Sequence, residues 1–327
     1  MGGMEALDSI QKPADLLGRL RRRADILRAI RTFFDTRDFI EVTTPVRIPA
    51  PAPEPHIDCP PCGTDFLRAS PELQMKKLLA AGCNRIYQIG PCFREGECGS
   101  RHNPEFTMIE WYRTNATYLD ILKDTQDLLT ALIKGSVPNS EGSVPTENEG
   151  SVPTGNEGTV PNSVGSVPTG DEGTVPTKIV TIKEMYEKFA GWNPFENWDQ
   201  DRFDYDMATK IEPNLPQGFV FLMDYPPAAA SLSRLRGPVA ERWELYYNGL
   251  ELGNCFTELC DGPEQRTRFA AAKAERRTLG ESDYPLDDEF LELLPLIKSA
   301  AGVAIGIDRL VMLLCGATDI HEVMVGA

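Results

Sequence analysis

Apolar residues recur at helical spacing in some stretches of this chain and alternate at the two-residue spacing of strands in others. Leu16, Leu20, Leu27, Ile30 and Phe34 fall on one stripe of a helix predicted over 16–37, with arginines opposite. A short strand, Phe39–Val42, follows, and Pro45 ends it. Leu67–Ala69 reads as extended. Ser70-Pro71-Glu72 then opens a helix to about Ala81: serine is a favoured N-cap, proline suits the first turn, and Gly82 suits the exit. Strands are predicted over 85–93 and 105–112, and a helix over 117–133. Thr181-x-x-Glu184 has the form of a capping box for a helix ending at Gly191. Phe219–Met223 reads as a strand, and 241–258 as a hairpin turning at Asn248-Gly249. Helices at 264–279 and 287–299 precede a glycine-rich strand and a helix over 307–315. Hairpins with interspersed helices predict an α+β fold, an antiparallel sheet flanked by helices.

One segment breaks the pattern. From Gly135 to Thr177 a unit of seven or eight residues repeats, as in GSVPTENE, GSVPTGNE and GSVPTGDE. Each unit carries a single valine with a proline and a glycine, so burial would not offset the entropy of ordering it. The expectation is one domain over 15–323 with a disordered low-complexity insertion at 135–177.

With 41% hydrophobic and 25% charged residues, the 327-residue chain can bury a large core. No apolar run approaches the roughly 18 residues of a membrane span, and the first 15 residues lack a signal-peptide core, so no membrane and a cytoplasmic location are expected. The net charge of −16 weighs weakly against a nucleic-acid partner. The one basic cluster, Arg19 to Arg23, reads as a solvated helix face. Cys59-Pro-Pro-Cys62, with His56 nearby, offers three zinc donors, but no second such pair accompanies it, and a plain loop is the bland alternative.

Three elements carry candidate chemistry. In the 241–258 hairpin, simple pairing from the turn sets Tyr246 opposite Glu251 and Glu244 opposite Gly253. Glu244 and Glu251 then share a sheet face as diagonal neighbours, where a hard cation such as Mg²⁺ would relieve their repulsion; a solvated acidic face is the alternative. Strict alternation turns Glu258 away with Asn254 and Phe256, unless a bulge at Gly253 re-aims the strand. In the first hairpin Arg94 ends a strand where a guanidinium can neutralise an α-phosphate. On the return strand Glu110 and Tyr112 share a face suited to an ammonium on an aliphatic stem. The third element is Gly302-Val-Ala-Ile-Gly306-Ile-Asp308-Arg309, whose glycines allow close backbone approach and whose helix N-terminus favours phosphate.

Residues 93–113, FREGECGSRHNPEFTMIEWYR, resemble the second signature motif of class II aminoacyl-tRNA synthetases of the lysyl, aspartyl and asparaginyl branch. Phe39–Pro45 resembles the first motif and 302–315 the third. The resemblance implies ATP as substrate, Mg²⁺, a homodimer through the first motif, and activation of an amino acid as its adenylate. Arg94 and Arg309 would be catalytic on the phosphates. ATP would be bound by these two with Glu95, Gly96, Glu97, Asn103, Glu251, Leu252 and Gly306, and Mg²⁺ by Glu244 and Glu251. Ser70, Pro71, Glu72, Glu110, Tyr112, Asn254, Phe256, Glu258 and Ala304 would surround lysine or β-lysine. One departure stands out: the family's Arg-x-Glu is here Arg94-Glu95-Gly96, with the next acid at Glu97.

No segment of anticodon-binding-domain size precedes the first helix. Ala304 stands where the synthetases carry glycine. Both features resemble the elongation factor P lysine ligases, truncated relatives of lysyl-tRNA synthetase, and imply elongation factor P as acceptor with tRNA unlikely. The alternatives are a free-standing enzyme charging tRNA, and a non-catalytic paralogue acting as a regulatory subunit.

Overall fold

The computed structural model describes residues 13–134 and 175–325. The expected insertion therefore lies, for 135–174, outside the described residues. Residues 175–177 do not belong with it. Val175 is buried in the core, its N–H donates to Thr130 Oγ1 at 3.1 Å, and Thr177 begins a strand. A repeat valine gains a core site here because the adjoining strand is anchored in a sheet.

The elements run α1 (Pro13–Asp35), β1 (Ile40–Glu41), β2 (Arg47–Ile48), β3 (Pro61–Cys62), β4 (Asp65–Leu67), α2 (Glu72–Ala80), β5 (Arg85–Phe93) and β6 (Glu105–Thr114). Next come α3 (Tyr118–Lys134), β7 (Thr177–Thr181), α4 (Ile182–Met185), α5 (Gln200–Asp206), β8 (Phe219–Tyr225) and β9 (Leu235–Arg236). The chain closes with β10 (Val239–Tyr247), β11 (Leu250–Thr257), α6 (Gly262–Leu279), α7 (Asp288–Leu293), β12 (Ala300–Gly306) and α8 (Ile307–Leu314).

Local chemistry explains most boundaries. Thr181 and Glu184 form the expected capping box, and the helical segment continues as a π-turn to Gly191, which is left-handed at φ 73°. Ser70 is not the N-cap of α2; Pro71 holds that position, yet Ser70 Oγ accepts the Glu72 N–H at 2.9 Å and satisfies the same free donor. The helix expected over 287–299 is shorter, because Pro295 removes a donor and the chain tightens into a 3₁₀ turn at Leu294–Leu296. Helix α5 was not legible as a periodic stripe; Phe203 joins Trp192 and Trp198 in an aromatic cluster instead.

The main sheet has the order β1-β5-β6-β12-β11-β10-β8-β7, with β9 beside β10. Its interior pairs are antiparallel, as expected, but β1–β5 and β7–β8 are parallel, so the sheet is mixed. Each parallel pair is joined by a long crossover, as parallel neighbours require. One face packs Ile109, Trp111, Trp243, Leu245, Cys255, Val303 and Ile305 against the helices α1, α3 and α8. Period-two alternation places Glu110, Tyr112, Arg242, Glu244, Asn254 and Ala304 on the other face.

The register of β10 and β11 decides what that polar face holds. Asn248 and Gly249 make the turn with φ of 48° and 77°, the two left-handed residues of a type I′ hairpin. Tyr246 pairs with Glu251, but Leu245 then pairs with Gly253, and Glu244 with Asn254 rather than with Gly253. The bulge lies one residue before the glycine that was expected to host it: Leu252 is the extra residue. It turns Asn254 and Phe256 to the same face as Glu244 and Glu251.

Candidate active site

The polar face floors a cavity of about 400 Å³, roofed by the loop between β5 and β6 and by the start of α8. Arg94 directly follows β5, its backbone N–H held by Pro104 O at 2.9 Å. Its guanidinium lies 5.3 Å from the Phe106 ring centroid and 3.4 Å from Glu97 Oε1. Arg94 Nε is buried with no hydrogen-bond partner. Leaving such a donor unmade costs about 1–3 kcal/mol, so the position fits an anion that supplies the acceptor. Arg309 crosses the cavity to donate to Glu251 O at 2.8 Å and to Arg101 O at 3.1 Å. Asn103, Leu252 and Gly306 line the same space, with Asn103 Nδ2 donating to Glu105 O at 2.5 Å. Glu95 and Gly96 are exposed and stand outside the wall, whereas Glu97 lines it. The acid that reaches the cavity is thus Glu97, three positions after Arg94, and not Glu95.

Glu244 and Glu251 both line the cavity. Glu244 is nearly closed off: Arg242 Nη2 reaches its Oε1 at 2.5 Å, and Tyr246 OH donates to its Oε2 at 2.7 Å. Glu251, among the described residues, has one ion pair, with Arg309 Nη1 3.9 Å from its Oε2. Desolvation in the cleft and then the Glu244 carboxylate push Glu251 up to about 7. A cation between the two would remove that repulsion. Among the described residues no group of three or more His, Cys, Asp or Glu side chains could hold a metal ion. A Mg²⁺ here would therefore draw its remaining ligands from phosphate oxygens and water, the usual pattern for that ion.

The far end of the cavity is walled by Ser70, Glu72, Asn254, Phe256 and Ala304. Glu110, Tyr112, Glu258 and Pro71 are buried just behind that wall. Ser70 Oγ donates to Glu110 Oε1 at 2.6 Å, and Tyr112 OH to Glu110 Oε2 at 2.8 Å. Burial, then the Glu72 charge, push Glu110 up to about 7. Tyr112 packs flat over Gly302, its cross-strand partner, where a Cβ would stand 2.1 Å from the ring. That glycine serves the tyrosine and not the nucleotide.

Sequence reasoning missed Lys76. It is fully buried, with Nζ 2.5 Å from Glu72 Oε1 and 2.5 Å from Glu258 Oε2. Its position four residues after Glu72 on one helix was visible; that Glu258 would reach it from another element was not. Arg242 was missed too, although it shares the face of Glu244 two residues on. The basic cluster of α1 is not simply solvated either. Arg23 pairs with Asp308 at 2.5 Å and donates to Thr107 Oγ1 at 2.9 Å, while Asp308 Oδ2 accepts the Thr107 N–H at 2.6 Å. Asp308 thereby ties the third motif to the second. Cys59 is buried beside Ala69 and Tyr284, and Cys62 pairs with Asp65 in a small three-stranded sheet; all eight cysteines are free thiols.

The family described as class II tRNA synthetases (D, K and N) matches residues 9–325 of this chain. The chain is 33% identical over 337 residues to the elongation factor P--(R)-beta-lysine ligase of Histophilus somni (strain 2336), covering 98% of each. It is 33% identical over 340 residues to the protein of that name from Vibrio atlanticus (strain LGP32), covering 97% of this chain and 98% of the relative. For the one from Proteus mirabilis (strain HI4320) the identity is 31% over 335 residues, covering 96% of each. No helix among the described residues is long and apolar enough to cross a membrane.

Proposed function

Because this chain belongs to the class II tRNA synthetase family (D, K and N), we propose that it is an ATP-dependent ligase that activates (R)-β-lysine and transfers it to a lysine of elongation factor P. One observation carries the reading: a single cavity joins an arginine with a free buried donor to a carboxylate-rich end backed by Glu72, Glu110 and Glu258. The first feature suits a phosphate, and the second suits a substrate with amines along an aliphatic stem.

In the first step the substrate carboxylate attacks the α-phosphorus of ATP, a P–O bond forms, and pyrophosphate leaves. Arg94 neutralises the α-phosphate, Arg309 holds the far phosphate, and Glu97 with Asn103 and Gly306 holds the nucleoside. Glu244 and Glu251 would hold Mg²⁺, whose chemistry is to neutralise charge on the phosphates. Glu110 and Tyr112, with Glu72 and Glu258 balanced by Lys76, favour a cationic amino acid. In the second step a neutral acceptor amine bonds to the carbonyl carbon. The carbon–oxygen bond to AMP breaks, AMP leaves with the electron pair, and the surplus proton passes to water. The enzyme acts in the cytoplasm as a homodimer through the segment around Phe39–Pro45, which sedimentation tests.

Pyrophosphate exchange with (R)-β-lysine and with α-lysine, followed by intact-mass analysis of elongation factor P and a parallel tRNA-charging assay, tests the whole reading. Exchange with (R)-β-lysine and a single lysyl adduct on elongation factor P are expected. Comparable charging of tRNA, or no exchange with either isomer, overturns it.

A further inference from the structure

A second and larger cavity, of about 580 Å³, adjoins the first and shares Glu54, Arg242, Glu244, Glu251 and Asn254 with it. Its outer walls are α5, α6 and the segments 53–56 and 227–232. Away from the shared wall, its charged lining is Asp204, Glu212, Glu275 and Arg268. The two arginines are committed elsewhere: Arg242 to Glu244 at 2.5 Å, and Arg268 to Glu264 at 2.5 Å and to the carbonyls of Ser231 and Ser233 at 2.9 and 2.8 Å. Among the described residues the carboxylates have only neutral donors beside them, Gln200 Nε2 to Asp204 at 2.8 Å and Tyr246 OH to Glu212 at 3.4 Å, so their charge faces the space.

A second observation points the same way. Gln265 lines this cavity, is 1% exposed, and its Oε1 has no hydrogen-bond partner. Native interiors rarely leave an acceptor in that state, so a donor is wanted there. Glu54 stands where the cavities meet, and its loop is pinned by the buried Arg276, which donates to Glu54 O at 2.6 Å and Ile57 O at 2.9 Å and pairs with Asp58 at 2.5 Å. An occupant must therefore be cationic and rich in donors. A nucleotide, polyanionic and acceptor-rich, is the wrong chemistry. Phe203, Met207, Phe269 and Ala272 supply apolar wall for an aliphatic stem.

We propose that this second cavity receives the acceptor: a lysine side chain carried on a protein segment, whose amine passes Glu54 to reach the adenylate in the first cavity. The assignment rests on the ligase reading above. Free lysine and its isomers bind at the other end of the first cavity, against Ser70 and Glu72, so the substrate's ammonium and the incoming acceptor amine lie on opposite sides of the carbonyl.

The test uses the full chain with Asp204→Lys and Glu275→Lys, both at exposed positions, and Ala272→Trp, which fills the cavity. Amino-acid-dependent pyrophosphate exchange reports the first step, and lysyl transfer to elongation factor P reports the second. The expected result is exchange near the wild-type rate, with the KM for elongation factor P raised about tenfold by each charge reversal and transfer lost in Ala272→Trp. Transfer at the wild-type KM in all three variants overturns the assignment, and so does loss of exchange in both charge-reversed variants, which would give the cavity to the first step. Wild-type enzyme that exchanges pyrophosphate but modifies no protein lysine is a distinct result: it removes the ligase reading, and this assignment with it.

Discussion

Replacing Lys76 by methionine keeps the aliphatic stem and deletes one buried charge. In the intact protein the ammonium lies 2.5 Å from both Glu72 and Glu258, and the Lys76 and Glu258 side chains are each 1% exposed. Removing one partner of such a pair leaves an uncompensated carboxylate and costs about 3–5 kcal/mol. Domains are stable by about 5–15 kcal/mol, so the variant should fold but with a much reduced margin. At about 2–4 °C per kcal/mol, Tm should fall by roughly 6–20 °C near pH 9. The loss should depend on pH. Burial pushes Glu258 up and Lys76 pulls it back down, so without Lys76 the folded carboxyl rises further above its unfolded value. A carboxyl with a raised folded pKa adds a penalty that begins at the unfolded value, grows with pH, and levels off above the folded one. With Lys76 present Glu258 already stands at about 8, so up to there both proteins lose stability alike; the deficit should be smaller at pH 7 and grow toward pH 9. Thermal unfolding of variant and wild type at both pH values reads this directly. The double variant Lys76→Met/Glu258→Gln, with one stranded charge removed, should recover about half of the loss at pH 9. A deficit below about 1 kcal/mol, the size of an exposed pair, or one that does not change with pH, would refute the reasoning.

Three further outcomes are expected. Gly302→Ala puts a methyl 2.1 Å from Tyr112; displacing the ring from Glu110 should raise the KM for the amino acid about tenfold in pyrophosphate exchange, with the KM for ATP unchanged. Because Glu251 sits at about 7 and a metal binds only its ionised form, the Mg²⁺ concentration for half-maximal exchange should fall as pH rises from 6 to 8, and Glu251→Gln should flatten that dependence. Asp308→Asn weakens the ties to Arg23 and the Thr107 N–H and should cost about 1–3 kcal/mol in urea unfolding, since hydrogen bonds to charged groups are the stronger kind.

The periodic patterns and turn residues of the chain were enough to determine most elements: the strand Arg85–Phe93, the Phe219–Met223 part of the strand that runs on to Tyr225, the Asn248-Gly249 hairpin and the Thr181 capping box all rest on neighbours within a few residues. The motif residues around Arg94, Glu251 and Arg309 were legible for the same reason, since each is defined by its immediate surroundings. What only the tertiary structure decided involves groups far apart in sequence. Leu252 is the bulged residue because β11 must pair with β10 on one side and β12 on the other, and that single extra residue brings Asn254 and Phe256 round to Glu244 and Glu251. Lys76 is a buried counter-ion because Glu258 arrives from a different strand. Gly302 is required by the Tyr112 ring across the sheet. Asp308 is a tie because α1 delivers Arg23 to it. Short-range preferences write themselves into adjacent residues; burial, charge pairing and register are properties of the surfaces that meet, and those exist only once the sheet has formed.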